Sequence, residues 1–257
     1  MSPGNGVEAR LTSGTDAFTQ LAQTDPVIPD FGEGSECVTE NRLFCPDWVR
    51  DNWAGVIQPA LLEHVKLTVI AVAIGFALSL VAALVTHRYR IAERPFVVFA
   101  AVVYTIPSLA LFQLLVPVTG LTVTTVEVAL VGYTLLILYR NILEGLRGVP
   151  AEVLEAARGM GLTRRQTLWR IELPLAVPAI FAGLRVAIVS TIALATVAAL
   201  VIPEGLGYPI FLALREAFKT EIIVAGGLAV LLALAADGLL VVAQRALTPW
   251  TRARRTA

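Results

Sequence analysis

Five stretches of this chain are apolar enough and long enough to cross a lipid bilayer, and no other sequence feature constrains the fold as tightly. A hydrocarbon core of roughly 30 Å takes about 20 helical residues at ~1.5 Å rise each, and backbone inside it must satisfy its own hydrogen bonds. Residues 67–86 and 186–202 carry no charge, the latter with Arg185 just before it. Residues 96–118 are also uncharged but hold Pro107 near the middle. Residues 121–139 contain only Glu127, and residues 222–244 only Asp237. A hydrophobic content of 56% over 257 residues and a mean hydropathy of +0.74 exclude an ordinary soluble domain. The formal net charge is zero, which removes any bulk electrostatic case for binding nucleic acid. The prediction is an all-α, polytopic membrane protein.

Lys and Arg near the ends of spans are retained on the cytoplasmic side. Arg88, Arg90 and Arg94 follow the first span. Arg140, Arg147, Arg158, Arg164, Arg165, Arg170 and Arg185 lie between the third and fourth, and Arg245, Arg252, Arg254 and Arg255 follow the fifth. These regions hold 14 of the 20 basic residues and are expected to face the cytoplasm. The connection around Gly120 is uncharged, and the one over residues 203–221 mixes both signs. Five spans then put the N-terminus outside and the C-terminus inside. The first 65 residues, with ten acids against three bases, fit the outer side. No basic segment followed by an apolar run opens the chain, so the first span itself is expected to do the targeting.

Three units follow: an extracytoplasmic tail and interfacial segment over residues 1–58, a transmembrane domain over 59–247, and a basic cytoplasmic tail over 248–257. Residues 1 to about 46 are rich in Gly, Ser, Thr, Asp and Pro, a composition that cannot bury enough apolar surface to order itself. Cys37 and Cys45, the only cysteines, share the oxidising face of the membrane. They can close a small disulfide loop, which their shared compartment favours, or remain unlinked thiols. Trp48, Trp53, Ile57, Leu61 and Leu62 recur at near-helical spacing, as either a short interfacial helix or a helical extension of the first span interrupted at Pro59.

Pro107 removes a backbone donor inside the second span and is expected to kink it or to divide it into two halves. Irregular backbone at that depth needs protein or a water-filled cavity around it. Tyr104, Thr105, Pro107 and Ser108 are therefore candidates for a translocation pathway, the alternative being a proline used only for packing. Residues 203–219 read as a short helix re-entering or resting on the outer leaflet, with Gly205 and Gly207 making the reversal and Ile210, Phe211, Leu214 and Phe218 on one face. Asp237 either lines the pathway or neutralises Arg185 or Arg245, with pairing favoured. Glu127 is expected to be solvated at the outer interface.

The loop before the fourth span is the most informative. Pro150 suits a helix start, Glu152 and Glu155 sit in its early turns, and Gly159 or Gly161 can end it. Thr163 and Gln166 form a capping box for a second helix running through Leu168, Trp169 and Ile171 until Pro174 interferes. The product is a glycine-hinged knob whose small Ala156, Ala157 and Gly161 permit close approach by another protein.

Glu155-Ala156-Ala157, then Gly161, Ile171 and Leu173-Pro174, resemble the Glu-Ala-Ala loop of bacterial ABC importer permeases at all seven fixed positions over twenty residues. The resemblance implies the type I importer fold known from methionine importers. It also implies ATPase coupling through Glu155, Ala156, Ala157, Gly161, Arg164, Leu173 and Pro174. Residues 105–110 (Thr-Ile-Pro-Ser-Leu-Ala), 138–141 (Leu-Tyr-Arg-Asn) and Gly205-Leu206-Gly207 with Ile210-Phe211 resemble the osmoprotectant subgroup, which imports glycine betaine, choline and carnitine. Some of these motifs are shared with permeases for other small solutes such as methionine. The implied partners are two ATPase subunits, a second permease, identical or paralogous, and an extracytoplasmic substrate-binding protein, in a bacterial inner membrane.

The chain has no Gly-x-x-x-x-Gly-Lys-Ser/Thr loop, so ATP and Mg²⁺ are expected on the partner ATPase and no cofactor here. With only His64 and His87 and no thiol cluster, neither metal binding nor enzymatic chemistry is supported. No aromatic cage for a trimethylammonium group is evident within the spans. The rival reading is an ATP-independent channel or secondary transporter, which would not need a shaped cytoplasmic knob.

Overall fold

The computed structural model describes residues 36–249. The tail reading over residues 1–35 and the basic Arg252, Arg254 and Arg255 lie outside the described residues. Every regular element among the described residues is helical. Two short helices, α1 (Glu36–Thr39) and α2 (Pro46–Asn52), precede α3 (Gln58–Arg88). Then come α4 (Glu93–Thr105), α5 (Ser108–Thr119), α6 (Val123–Arg147), α7 (Ala151–Gly159) and α8 (Arg164–Thr167). The chain finishes with α9 (Leu173–Val197), α10 (Gly207–Glu216) and α11 (Lys219–Leu247).

The central helix is α6, packed against α3 on one side and α9 on the other, with α11 outside α9. Lipid offers no hydrophobic gain for helix pairing, so small residues that admit a neighbouring backbone do much of the work. Gly75 of α3 faces Thr134 of α6 so closely that an added Cβ would stand 1.8 Å from its Oγ1. Gly183 of α9 is held as tightly against Asn141, where the same atom would lie 2.5 Å from Cβ. Toward one end of α6, Leu130 and Tyr133 pack with Phe112 and Ala195; toward the other, Leu138, Tyr139 and Ile142 pack with Ala83 and Ala187.

Pro107 does more than kink the second span. It separates α4 and α5, whose axes differ by 103°. At ~1.5 Å per residue α4 is about 20 Å long and α5 about 18 Å, so neither half crosses alone. The pair nevertheless runs the length of α6. Glu93, opening α4, takes a two-pronged bond from Arg147 at the last residue of α6, at 2.9 and 2.6 Å. Thr119, closing α5, stands 2.6 Å from Thr125 in the first turn of α6. A chain that starts beside one end of α6 and finishes beside the other is a crossing and not a re-entrant loop, which gives five spans.

Two other prolines are absorbed without a break. A π-helical turn over Trp53–Ile57 joins α2 to α3 just before Pro59, and another over Leu168–Glu172 joins α8 to α9 just before Pro174. In both, a longer i→i+5 bond shifts the ladder where proline offers no N–H. The first span is therefore one helical run of 43 residues, Pro46–Arg88, so the extension and not a separate interfacial helix is observed. The fourth is a 37-residue run, Arg164–Leu200, and Pro174 does not end the knob's second helix.

Beyond the ends of the spans opposite the knob, α1 and its following loop form a clasp. Cys37 and Cys45 are disulfide-bonded with Cα atoms 5.7 Å apart. Val38 and Cys45 pack against Ala213 and Phe218, and Trp48 meets the Phe218 ring edge-on at 5.1 Å. The Asn41 amide donates to the Ala217 carbonyl at 2.8 Å and accepts from the Lys219 N–H at 3.0 Å, bracketing Ala217, whose φ is 56°. The loop thus holds the reversal between α10 and α11. The buried face of α10 is Gly207, Pro209 and Ala213. Leu214, expected on that face, is 61% exposed, because the reversal at Ala217 rotates Ala213 and Phe218 toward the clasp.

Of the two acids within the spans, Glu127 departs from expectation and Asp237 follows the favoured alternative. Both carboxylate oxygens of Glu127 are buried without a hydrogen bond. Three and seven residues on, Leu130 and Thr134 are buried on the same face of α6, which turns Glu127 inward and not toward the interface. Asp237 accepts from Arg185 at 2.6 and 2.8 Å, a two-pronged pair that ties α11 to α9.

Candidate functional site

The break in the second span opens a cavity of about 430 Å³. Tyr104, Thr105, Ile106, Pro107 and Ser108 form one wall, Tyr133, Thr134 and Ile137 of α6 a second, and Ser190, Thr191 and Leu194 of α9 a third. Four of the five proposed pathway residues are thereby brought together. Asp237 is not among the lining residues, since its carboxylate is engaged by Arg185; the pairing alternative is the observed one. Tyr133 was missed from the sequence, where it reads as one more apolar position. Its ring is buried, and its hydroxyl donates to the Ile106 carbonyl across the break, fixing the disrupted backbone.

Three threonine hydroxyls of the cavity serve their own helices. Thr105 donates to Ala101, Thr134 to Val131 and Thr191 to Ala187, each at 2.7 Å. No charged residue lines the space.

Beyond it, on the side away from the knob, the loop before Gly207 is fixed by neighbouring side chains of α3. Glu63 accepts from the Gly205 N–H at 3.0 Å. His64, fully buried, accepts at Nδ1 from the Leu206 N–H at 3.2 Å, so Nε2 carries the proton given to the Ile192 carbonyl at 3.1 Å. Gly205 has a φ of 74° and makes the reversal. Gly207 serves a different need: a Cβ there would lie 2.0 Å from the Thr196 carbonyl oxygen.

At the opposite end, α7 closes in a Schellman turn. The Gly161 N–H bonds the Arg158 carbonyl at 2.9 Å and Leu162 bonds Ala157 at 3.1 Å, with Gly161 left-handed at φ 77°. Thr163 and Gln166 complete the capping box. Ala157 is fully buried and anchors the helix, whereas Glu155, Ala156, Gly161 and Arg164 are exposed, together with Met160 at 69% and Trp169 at 57%. Leu173 and Pro174 lie in the first turn of α9, within the run of the fourth span.

A five-crossing helical protein with an uncharged cavity at a broken span, and a shaped knob on the shaft of another span, defines a membrane transport permease. The family model for the binding-protein-dependent transport system inner membrane component matches residues 75–253, and the chain belongs to that family. Among its relatives, a choline transport system permease protein of Bacillus subtilis (strain 168) is 35% identical over 188 residues, 73% of this chain and 86% of that protein. A glycine betaine/carnitine/choline transport system permease protein of the same strain is 33% identical over the same shares. An osmoprotectant import permease protein of Salmonella typhimurium (strain LT2) is 32% identical over 208 residues, 79% of this chain and 96% of that one. In fold, the chain resembles a subunit of the inward-facing MetNI methionine ABC transporter, with a TM-score of 0.64 at 19% identity over 84% of this chain and all of that one. The clasp, residues 36–52, precedes the family match.

Proposed function

We propose that this chain is one permease half of an ATP-driven importer for small methylated amines such as choline, glycine betaine or carnitine. The observation that carries the reading is mechanical. The second helix of the exposed knob runs without interruption into the helix that supplies Ser190, Thr191 and Leu194 to the cavity. A separate ATPase that engages Glu155, Ala156 and Gly161 would therefore act on the pathway through the Gly161 turn and the helical run that follows it. The solute class is supported by the names of the relatives at 32–35% identity.

In this reading residues 36–58 belong to the extracytoplasmic part, the knob faces the cytoplasm, and residues 248–257 form a cytoplasmic tail. A second permease completes the pore, two ATPases supply ATP hydrolysis with Mg²⁺, and an external binding protein delivers the solute. The arginine distribution supports this orientation.

The test is reconstitution of the whole assembly in proteoliposomes and uptake of radiolabelled choline, glycine betaine and carnitine with and without ATP. ATP-dependent uptake of at least one is the expected result. Uptake that persists without ATP, or exclusive uptake of an unrelated solute, overturns the reading. Membrane-impermeant labelling of Arg164→Cys from the outside would overturn the orientation.

A further inference from the structure

We infer that the corner formed by Tyr104 and Tyr133 at the break in the second span is a transient binding site for the methylated ammonium head of the transported solute. This rests on the solute class proposed above and adds a site to it.

Three aromatic pairs occur among the described residues, and they serve different ends. Trp48 and Phe218 hold the clasp, and Phe96 and Tyr139 lie in the core. Only Tyr104 and Tyr133 line a cavity. Their centroids are 6.0 Å apart and their planes meet at 68°, an edge-type contact that puts both rings at one corner of the cavity, with Tyr104 the more exposed of the two. A cation within about 6 Å of a ring centroid is attracted by the negative ring face.

The rest of the lining selects for the same chemistry. No acid, lysine or arginine is present to hold an ion tightly. The threonine hydroxyls and the Tyr133 hydroxyl already donate to helix carbonyls. What those hydroxyls leave toward a solute is oxygen lone pairs, which contribute diffuse negative potential at the corner. A quaternary ammonium has no donor to satisfy and needs only diffuse negative potential. The last turn of α4 adds to that potential: its cap residue Ile106 makes no return bond, and Pro107 has no N–H, so these terminal carbonyls lack main-chain partners.

The two rings also differ in how they are held. Tyr133 is 6% exposed and pinned by its hydroxyl, whereas Tyr104 is 45% exposed at the end of a half-helix. One ring is held more closely than the other, which suits a site that must release what it binds. The volume of about 430 Å³ falls in the range of small-molecule sites.

The test uses the purified complex of this chain with its partner permease and ATPases, without the external binding protein. Saturation-transfer NMR compares choline with 3,3-dimethylbutan-1-ol, a neutral molecule of the same shape. Wild type should favour choline, and Tyr104→Leu should weaken choline by about three- to fivefold, the worth of one ring face, while leaving the alcohol nearly unchanged. Tyr104→Phe, which keeps the face, should retain the preference. Equal loss of both probes in Tyr104→Leu, or an unchanged preference for choline, overturns the site. ATP-driven uptake on the same preparations separates the two proposals. If wild type imports choline but Tyr104→Leu keeps its preference, only the site fails; if wild type imports no methylated amine, the solute class fails.

Discussion

Substitutions at Gly161 separate the needs of this chain from those of a partner. The residue sits at φ 77°, so any side chain with a Cβ meets the left-handed penalty of about 1–2 kcal/mol, and Asn, which tolerates that region, less. A Cβ built there finds nothing within 4 Å and the residue is exposed, so the first atom of either side chain, Ala or Trp, is free of contacts within this chain. The two variants should therefore be similarly stable and similarly folded. If an ATPase packs over this turn, Trp adds an overpacking cost of about 1–3 kcal/mol that Ala does not, or roughly a five- to hundredfold loss in productive coupling. Ala, Asn and Trp variants of the reconstituted importer should be compared by thermal midpoint, ATP hydrolysis and solute uptake. Gly161→Asn should transport near wild type, Gly161→Ala slightly below it, and Gly161→Trp far below both while its midpoint matches that of Ala. Uptake by the Trp variant within twofold of the Ala variant would refute a docking role for the turn.

Gly207→Ala drives a methyl to 2.0 Å from the Thr196 carbonyl oxygen, and backbone yields less readily than a side chain, so a loss of about 1–3 kcal/mol is expected. Gly226→Ala, with nothing within 4 Å in the middle of α11, should be neutral or stabilising, and equal melting of the two in detergent would contradict this. Cys37→Ser or Cys45→Ser releases a short loop whose closure is worth about 2–3 kcal/mol, so the Lys219 amide, bonded to Asn41, should exchange with deuterium up to roughly a hundredfold faster. Exchange at the wild-type rate would show that the clasp does not depend on the bond. Arg185→Leu or Asp237→Leu alone leaves one unpaired charge on a span and should lower the yield of monodisperse protein, and the double change should recover it. A double variant that accumulates no better than the singles would count against the pairing.

The spans were legible because a bilayer imposes a single strong rule, and apolar runs that obey it have few alternative folds. The turn chemistry of the knob was equally readable: Gly161 as the left-handed residue and Thr163 with Gln166 as the capping box depend on local geometry alone. The outcome at each proline inside a span was less readable. At Pro107 it breaks the helix, whereas before Pro59 and Pro174 a π turn carries the ladder past the missing donor, and which outcome occurs depends on packing several residues away. Leu214 and Glu127 were misplaced for a related reason. Periodicity fixes which residues share a face, but the rotation of that face is set by distant contacts, the clasp in one case and the α3–α6 approach in the other. The aromatic corner was invisible because Tyr104 and Tyr133 belong to different helices and meet only across the break.

The uninterrupted run Arg164–Leu200 changes how a knob of this kind can act. At ~1.5 Å per residue, 37 residues make a rod of about 55 Å, and α8 is its first turn and not a separate lever. The same rod lines the cavity with Ser190 and Thr191, and its far end meets Gly207 through the Thr196 carbonyl. Displacement of the knob therefore reaches the cavity and the loop before Gly207 through one element. The point of compliance is the π turn at Leu168–Glu172, where the ladder is already irregular and where Glu172 stands 2.9 Å from His87 at the end of α3. Beyond that turn the helix is continuous to Leu200, so the cavity-lining residues and the far end move together. That is the geometry alternating access needs: one motion that opens the cavity at one face while drawing the loop over it at the other.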